Sequence, residues 1–170
     1  RKYIETALAS WNLKPEVAAF TADTPMGKAQ MYNIVARIRG KSERAVIVAG
    51  HYDTKQMPRV RFVGANDGGS SSGLLLERAG ALGKGPQREL SVWGAFLDGE
   101  EALVEWTATD SLYGSKRMAR QLQASGIASQ VSAVIVVDMV GGKNLNLLRD
   151  RNSTGWLNDM VREVAAGLRL

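Results

Sequence analysis

The stretch AVIVAGHYD at residues 45–53 indicates how this chain of 170 residues folds. Five consecutive apolar residues, from Ala45 to Ala49, are typical of a central strand that is covered on both faces, as in parallel sheets. His51 and Asp53 follow directly after this apolar run. In open α/β sheets, ligands collect outside the carboxyl ends of the strands. We therefore expect the residues after this strand to lie at a functional edge of a sheet.

The rest of the chain alternates predicted strands with predicted helices. Three further strands are predicted: one at residues 31–38, where apolar and polar residues alternate, and two from apolar runs at residues 90–97 and 131–137. Helical spacing of apolar residues predicts four helices, at residues 3–11, 71–82, 111–125 and 154–168. This alternation implies an α/β fold with a mostly parallel central sheet and helices on both faces. Without a repeat or a linker-like stretch, residues 1–170 are predicted to form a single domain, with Trp93 and Trp156 in its core.

The composition excludes several classes of protein. A hydrophobic fraction of 45% with 23% charged residues is typical of folded globular domains rather than disordered ones. The absence of cysteine excludes a disulfide scaffold, a zinc ribbon, an iron–sulfur cluster and a cysteine nucleophile. A P-loop, a dinucleotide-binding fingerprint and a Gly-x-Ser-x-Gly elbow are also missing. Nucleotide-binding and serine hydrolase functions are therefore not predicted.

The net charge of +5 does not by itself indicate nucleic acid as a partner. The basic residues stand in small groups, such as Lys116, Arg117 and Arg120, with acids nearby and without interleaved aromatic residues. The apolar runs are far shorter than the ~18 residues of a membrane span. We therefore predict neither a nucleic-acid nor a membrane partner. The chain begins at Arg1 without methionine, as after removal of a leader, so a secreted or periplasmic protein is the expectation.

Acidic side chains follow the predicted strands and precede one predicted helix. Asp67 lies in the loop before residues 71–82, Glu100 and Glu101 follow residues 90–97, and Asp138 follows residues 131–137. A single carboxylate at such a place is usually a helix cap or a solvated loop residue. Gathered at one edge, however, they would repel one another unless a cation offset their charge. Carboxylate and imidazole ligands together are typical of zinc, so we predict a metal centre here.

The adjacent acids also suggest a division of labour, because one glutamate can hold a metal while its neighbour transfers protons. Two other residues keep two interpretations each. His51, the single histidine, is as typical of a hydrogen-bonded loop imidazole as of a metal ligand. Trp106 lies in a polar stretch, where it either lines a pocket or plugs the space under a long loop.

The order of these motifs resembles the glutaminyl-peptide cyclotransferases (glutaminyl cyclases), zinc-dependent enzymes within the wider M28 peptidase clan. The His-x-Asp, Asn-Asp and Glu-Glu elements imply the fold that the whole clan shares, which is that of the zinc aminopeptidases (phosphorylase/hydrolase-like). The longer insert after Glu101, which contains Trp106 and ends in DSLYGS at residues 110–115, resembles the cyclases in particular. The resemblance runs in order through most of the chain, along Gly50-His51-Tyr52-Asp53, Asn66-Asp67, Asp98-Gly99-Glu100-Glu101-Ala102, Trp106 and Asp110-Ser111-Leu112-Tyr113-Gly114-Ser115.

This resemblance implies that the chain cyclises the N-terminal glutamine of peptides or proteins to pyroglutamate and releases ammonia. It also implies a role for each matching residue. Asp67 and Glu101 would bind a single zinc ion. Glu100 would be the catalytic proton shuttle, with Asp138 beside the leaving group as the second catalytic residue. Trp106 would line the pocket for the glutamine side chain.

An M28-type dizinc aminopeptidase, which hydrolyses N-terminal peptide bonds, is the alternative. By resemblance, His51, Asp67 and Asp138 would form its first metal site and Glu100 would be its general base. The cyclases take their third zinc ligand from a C-terminal histidine, and this chain has no histidine besides His51. We therefore expect that the C-terminal part of the domain is missing from this sequence. One zinc ion is expected for a cyclase and two for an aminopeptidase; the sequence predicts no oligomeric state.

Overall fold

The computed structural model describes residues 1–168 of the chain. In chain order, these residues form the helices and strands α1 (Lys2–Ser10), β1 (Glu16–Thr24), β2 (Gly27–Ile38), β3 (Ala45–His51), α2 (Gly69–Lys84), β4 (Ser91–Leu97), α3 (Tyr113–Ala124), a short 3-10 helix (Ile127–Gln130), β5 (Val131–Val136) and α4 (Gly155–Gly167). Each of the four predicted helices and four predicted strands is present, with bounds that differ by a few residues.

All the strands form one sheet in the order β1-β2-β4-β3-β5. The central strand β3 pairs in parallel with both β4 and β5, whereas β2 pairs antiparallel with both β1 and β4. The predicted α/β class is confirmed, and the sheet is mixed, because β2 alone runs opposite to the other four strands. The physical reason is the hairpin of β1 and β2: Thr24 pairs with Gly27 across a two-residue turn, and a turn that short joins only antiparallel strands.

Helices cover both faces of the sheet, as predicted. On one face, Leu8 of α1 and Leu75 of α2 pack with Phe96 of β4 in one buried cluster. On the other face, Met118 and Leu122 of α3 pack against a cluster that includes Trp93. Burial of each large apolar side chain contributes about 1.5–3 kcal/mol, so these two clusters are the main source of stability. The predicted core position of Trp93 is confirmed.

A buried polar side chain joins three of these elements. Asn33 of β2 donates from Nδ2 to the carbonyl of Gly114 at the start of α3, at 2.8 Å. Its Oδ1 accepts the backbone N–H of Asp98, directly after β4, at 3.2 Å. Because a buried amide is costly unless it is hydrogen-bonded, these bonds fix how the end of β4 meets the start of α3. The segment that follows, at residues 99–101, is thereby held in place.

Helix α4 differs from α1, α2 and α3 because none of its residues is buried. Trp156 has 56% of its surface exposed, so its predicted place in the core was wrong. The apolar spacing that predicted the helix is real, but within residues 1–168 no sheet face or helix covers it. None of the helices in this part of the chain has the length and apolar content needed to cross a bilayer. The last two residues of the predicted domain, 169 and 170, lie outside the described residues.

Candidate metal centre

The site lies where three neighbouring parallel strands end. His51 is the last residue of β3 and pairs with Leu97, the last residue of β4, so the two strands end level. Glu100 follows β4, and Asp138 follows β5 on the other side of β3. Asp67 reaches the same edge from the loop before α2. The sheet order therefore brings the ends of three chain segments together around His51.

His51, Asp67 and Asp138 form the tightest group. The His51 Nε2 atom lies 3.0 Å from Asp67 Oδ1 and 3.3 Å from Asp138 Oδ1. One ligand atom of each residue lies within 4.8 Å of those of the other two. An imidazole and two carboxylates this close form a donor set of the kind that binds zinc and related divalent cations.

The other ring nitrogen of His51 faces two more carboxylates. Its Nδ1 atom lies 3.3 Å from Asp53 Oδ1 and 4.0 Å from Glu100 Oε2. The side chain is 2% exposed, and neither ring nitrogen makes a hydrogen bond of good geometry to any of residues 1–168. Burial alone would lower the pKa of His51, but Asp53, Glu100 and Asp138 outweigh it and raise the pKa to about 9. This environment favours a cation and does not fit a simple loop-bound imidazole.

Asp53 holds the backbone of both adjacent glutamates. Its Oδ1 accepts the N–H of Glu100 at 3.1 Å, and its Oδ2 accepts the N–H of Glu101 at 3.0 Å. On the other side, the Glu100 carbonyl accepts the N–H of Leu112 at 2.9 Å. The backbone of Glu100 is therefore fixed from both sides. The sequence analysis gave Asp53 no role, although its place two residues after His51 was the signal that could have suggested one.

The two glutamates have different surroundings. Burial raises the pKa of Glu100 to about 7, with Glu101, Asp53 and Asp138 adding to the effect and His51 opposing it. A carboxyl that titrates near neutrality can both accept and donate a proton. Burial and the negative charge of Asp67 raise the pKa of Glu101 above its ordinary value, against the charge of Lys55. Glu101 and Asp67 thus repel each other, but Glu101 does not belong to the close group around His51 Nε2.

Glycine at position 68 lets the Asp67 loop approach His51. Gly68 has a φ of +82°, and a Cβ atom there would lie 2.6 Å from the Asp53 carbonyl oxygen and 3.1 Å from His51 Cε1. Only a residue without a side chain fits both the backbone angle and the space. The neighbouring Asn66 accepts the N–H of Gly141 on its Oδ1 at 2.9 Å, which joins the Asp67 loop to the segment after Asp138. Sequence reasoning included Asn66 in a motif but missed this bridge.

Two residues beside the site have a strained backbone. Leu112, which donates to Glu100, has a φ of 55°, and Met139, next to Asp138, has a φ of 50°. A left-handed conformation costs a residue with a side chain roughly 1–2 kcal/mol. Such strain concentrates at functional sites, where the surrounding contacts enforce it.

Asp110 organises the long loop between Glu101 and α3. The residue is 2% exposed, and its carboxylate accepts the backbone N–H groups of Leu103, Val104 and Glu105 at 2.8–3.0 Å. Tyr113 donates its hydroxyl to the same carboxylate at 2.8 Å. These bonds outweigh the effect of burial and hold the pKa of Asp110 well below its usual range. Helix α3 has no side-chain cap at its start, and the carboxylate of Asp110 binds the preceding loop.

Trp106 lies in this loop and is 55% exposed. It therefore does not plug the space under the loop, which was one of its two interpretations. A cavity of about 140 Å³ lies against the cluster and is lined by His51, Glu100, Asp138 and apolar side chains such as Leu97 and Val137. Trp106 does not line that cavity. A pocket role for Trp106 stays a prediction.

Comparison with known proteins identifies the family of the chain. Residues 33–167 match the model of peptidase family M28. The chain belongs to this family. Among M28-related proteins, it is 37% identical over 162 residues to a cattle (Bos taurus) protein named glutaminyl-peptide cyclotransferase-like protein. It is 33% identical over 146 residues to the glutaminyl-peptide cyclotransferase of Drosophila melanogaster.

A solved structure of a glutaminyl cyclase from an Acidobacteriales bacterium is also similar, with a TM-score of 0.93 and 38% identity. That similarity covers 98% of this chain and 58% of the bacterial one. The matches to the cattle and fly proteins cover 85% and 83% of this chain, but 42% and 41% of those proteins. This M28 chain therefore spans less than half the length of the two curated relatives.

Proposed function

We propose that the chain contains most of the active site of a glutaminyl cyclase. Such an enzyme converts the N-terminal glutamine of a peptide or protein into pyroglutamate and releases ammonia. The observation that carries this proposal is the close similarity of 98% of the chain to a glutaminyl cyclase structure. The two relatives named above bear the same name or a derivative of it. The surroundings of Glu100 also support the proposal, because burial raises the pKa of this carboxyl to about 7, where it can both accept and donate a proton.

The residues present fit a metal ion. His51 is buried with two ring nitrogens that make no hydrogen bond to the described residues, and carboxylates surround it at 3.0–4.0 Å. We propose that Asp67 and Glu101 hold a zinc ion, since their mutual repulsion would be relieved by a cation between them. When bound, zinc supplies a Lewis acid that polarises the γ-carboxamide carbonyl of the glutamine.

The protein's own groups handle the protons. Glu100 accepts a proton from the α-amino group as that nitrogen forms its bond to the γ-carbonyl carbon. Glu100 then returns the proton to the amide nitrogen, which leaves as ammonia when the old carbon–nitrogen bond breaks. Asp138, which lies 3.3 Å from His51 beside the same cavity, is proposed to hydrogen-bond the leaving nitrogen. Trp106 is proposed to contact the glutamine side chain from its exposed loop.

A second candidate, a dizinc aminopeptidase, has one observation in its favour. The close group of His51, Asp67 and Asp138 offers three ligand atoms within 4.8 Å of one another, which is a complete site in itself. In that case Glu100 would act as general base toward water, and the product would be a free N-terminal amino acid.

The two candidates are separated by product and by metal content, both measured on the complete gene product. A cyclase releases ammonia from a Gln-peptide, leaves Leu-p-nitroanilide intact and holds one zinc ion per chain. Cleavage of Leu-p-nitroanilide without ammonia release, together with two tightly held zinc ions, would replace the cyclase assignment with the aminopeptidase one.

A further inference from the structure

A groove of about 580 Å³ lies between the β1–β2 hairpin and helix α3. We call it the basic groove, and its lining includes Phe20, Ala22, Thr109, Tyr113, Arg117 and Arg120. It is separate from the metal centre, since none of the clustered carboxylates or His51 lines it. Phe20 and Ala22 come from β1, and the basic residues of the lining come from α3.

The positive charges of the groove lie on one face of α3. Tyr113, Lys116, Arg117 and Arg120 are spaced by three or four residues, so their side chains share a stripe along the helix. The opposite stripe, with Met118 and Leu122, packs against the sheet. The basic residues are therefore not needed for packing of α3 against the sheet.

The two arginines have no acidic partner within residues 1–168. Both are exposed, and no ion pair of the described residues includes Arg117 or Arg120. The acid that lines the groove, Asp23, is already paired with Lys28 at 2.6 Å. Lys116 holds its ammonium group at the loop end of the groove, where it donates to the carbonyls of Ala108 and Ser111. The groove thus has an uncompensated positive charge.

The shape and charge of the groove fit an extended acidic peptide. From Tyr113 to Arg120 the helix rises about 10 Å, at about 1.5 Å per residue. An extended peptide covers that length with about three residues, at roughly 3.3 Å each. Arginine binds carboxylates through two parallel hydrogen bonds, so Arg117 and Arg120 could each take one acidic side chain. Nucleic acid fits less well, because its non-specific binding rests on neutralising several phosphates at once, whereas this groove offers three cations, of which Lys116 already binds two loop carbonyls.

The groove adjoins the loop that belongs to the candidate site. Ala108 and Thr109 line the groove and lie in the same loop as Trp106, which begins at Glu101. We propose that the basic groove binds an acidic stretch of a peptide. Resting on the proposed function, we infer further that this stretch is the part of the substrate that follows its N-terminal glutamine.

Binding is tested first with a probe that cannot be cyclised. An N-acetylated, fluorescein-labelled peptide with three consecutive glutamates is titrated with the complete gene product, and its fluorescence anisotropy is compared with that of a peptide in which glutamines replace the glutamates. We expect the acidic peptide to bind at least ~10-fold more tightly. The double variant Arg117→Glu/Arg120→Glu should abolish that preference.

The matched control is Arg78→Glu/Arg162→Glu, which makes the same charge change at exposed positions on α2 and α4. It should bind the acidic peptide like the unmodified protein. Equal binding of the two peptides, or an equal effect of both double variants, overturns the proposal. Displacement of the peptide by a single-stranded oligonucleotide at much lower concentration also overturns it, in favour of nucleic acid.

Kinetics then test whether the groove serves the substrate. Among Gln-peptides, an acidic stretch should lower KM about 10-fold without changing kcat, and Arg117→Glu/Arg120→Glu should remove that difference. If the acetylated probe binds but no Gln-peptide releases ammonia, the proposed function fails and the groove stands. If Gln-peptides are cyclised with equal KM whether acidic or neutral, the role in substrate binding is overturned while the cyclase assignment stands.

Discussion

Asp53 accepts the backbone N–H groups of Glu100 and Glu101, one on each carboxylate oxygen, while it also lies 3.3 Å from His51. The side chain of Asp53 thus joins the end of β3 to the segment after β4 that contains both glutamates. Because His51 and the bonds from Glu100 and Glu101 outweigh burial, the pKa of Asp53 is lowered and the group stays ionised. The backbone position of Glu100, the proposed proton shuttle, therefore depends on a residue that need not touch the substrate.

Replacement of Asp53 by asparagine tests this relationship. Asparagine keeps the shape but has only one accepting oxygen, so one of the two glutamate N–H groups loses its bond. We expect about 10–100-fold loss of kcat, with weaker zinc retention, as is usual when a group that orients metal-site residues is changed. Asp159→Asn, an exposed matched control on α4, should behave like the unmodified protein. A normal kcat in Asp53→Asn would show that the bidentate bond does not matter for catalysis.

Glu100→Gln should keep the fold and the metal but lose ~10²-fold or more in turnover, because the amide cannot transfer protons. Glu101→Gln should instead reduce the zinc content after dialysis against a weak chelator. The measurements are ammonia release and elemental analysis of both variants. The assignment of roles would be reversed if Glu100→Gln lost its zinc and Glu101→Gln kept it.

Gly68→Ala should destabilise the protein by roughly 1–3 kcal/mol, since the new Cβ meets both a left-handed φ and the Asp53 carbonyl. Urea unfolding monitored by circular dichroism measures the change. Gly73→Ala is the matched control: it lies inside α2 with no atom within 4 Å of the added Cβ. That substitution should stabilise the protein by about 0.5–1 kcal/mol. Two equal effects would mean that the close approach at Gly68 carries no strain.

Asp110→Asn should lower the melting temperature at neutral pH, because asparagine cannot accept all four hydrogen bonds. The folded pKa of Asp110 lies below the unfolded one, so its ionised form stabilises the protein above about pH 4, the unfolded value. That contribution is lost as the pH falls below this value toward the folded pKa. The difference in melting temperature between the two proteins should therefore shrink below about pH 4. A difference that is constant from pH 7 to pH 3 would contradict the role of the charge.

The sequence predicted the central parallel strands and the edge where the carboxylates gather, because continuous apolar runs and the residues after them are local signals. It did not predict β1, since EVAAFTADT at residues 16–24 lacks strict alternation and its partner strand decides its structure. Trp156 shows the opposite error: helical spacing indicated a buried face, but burial depends on what packs against α4. Periodicity shows that a helix has an apolar face, but it does not show which element packs against that face.

The contacts between particular residues of the site could not be predicted from the sequence either. The motif His51-Tyr52-Asp53 showed that two chemically useful groups are close in the chain, but not that Asp53 binds the backbone near Glu100 rather than a metal. Asp110 stood directly before a predicted helix, yet its carboxylate binds three N–H groups of the preceding loop and the hydroxyl of Tyr113. In both cases the choice among several available N–H donors is made by the tertiary arrangement.

Ions in the surrounding solution screen the bonds of Asp110 much less than a surface contact, because its carboxylate is buried and its donors are neutral. The exposed arginines on α3 have no such protection. Added potassium chloride should therefore drive an acidic peptide off α3 while the neighbouring loop keeps its conformation. With an acidic peptide bound as proposed, the chain would combine, within a few residues, one electrostatic contact that weakens as the ionic strength rises and another that barely changes.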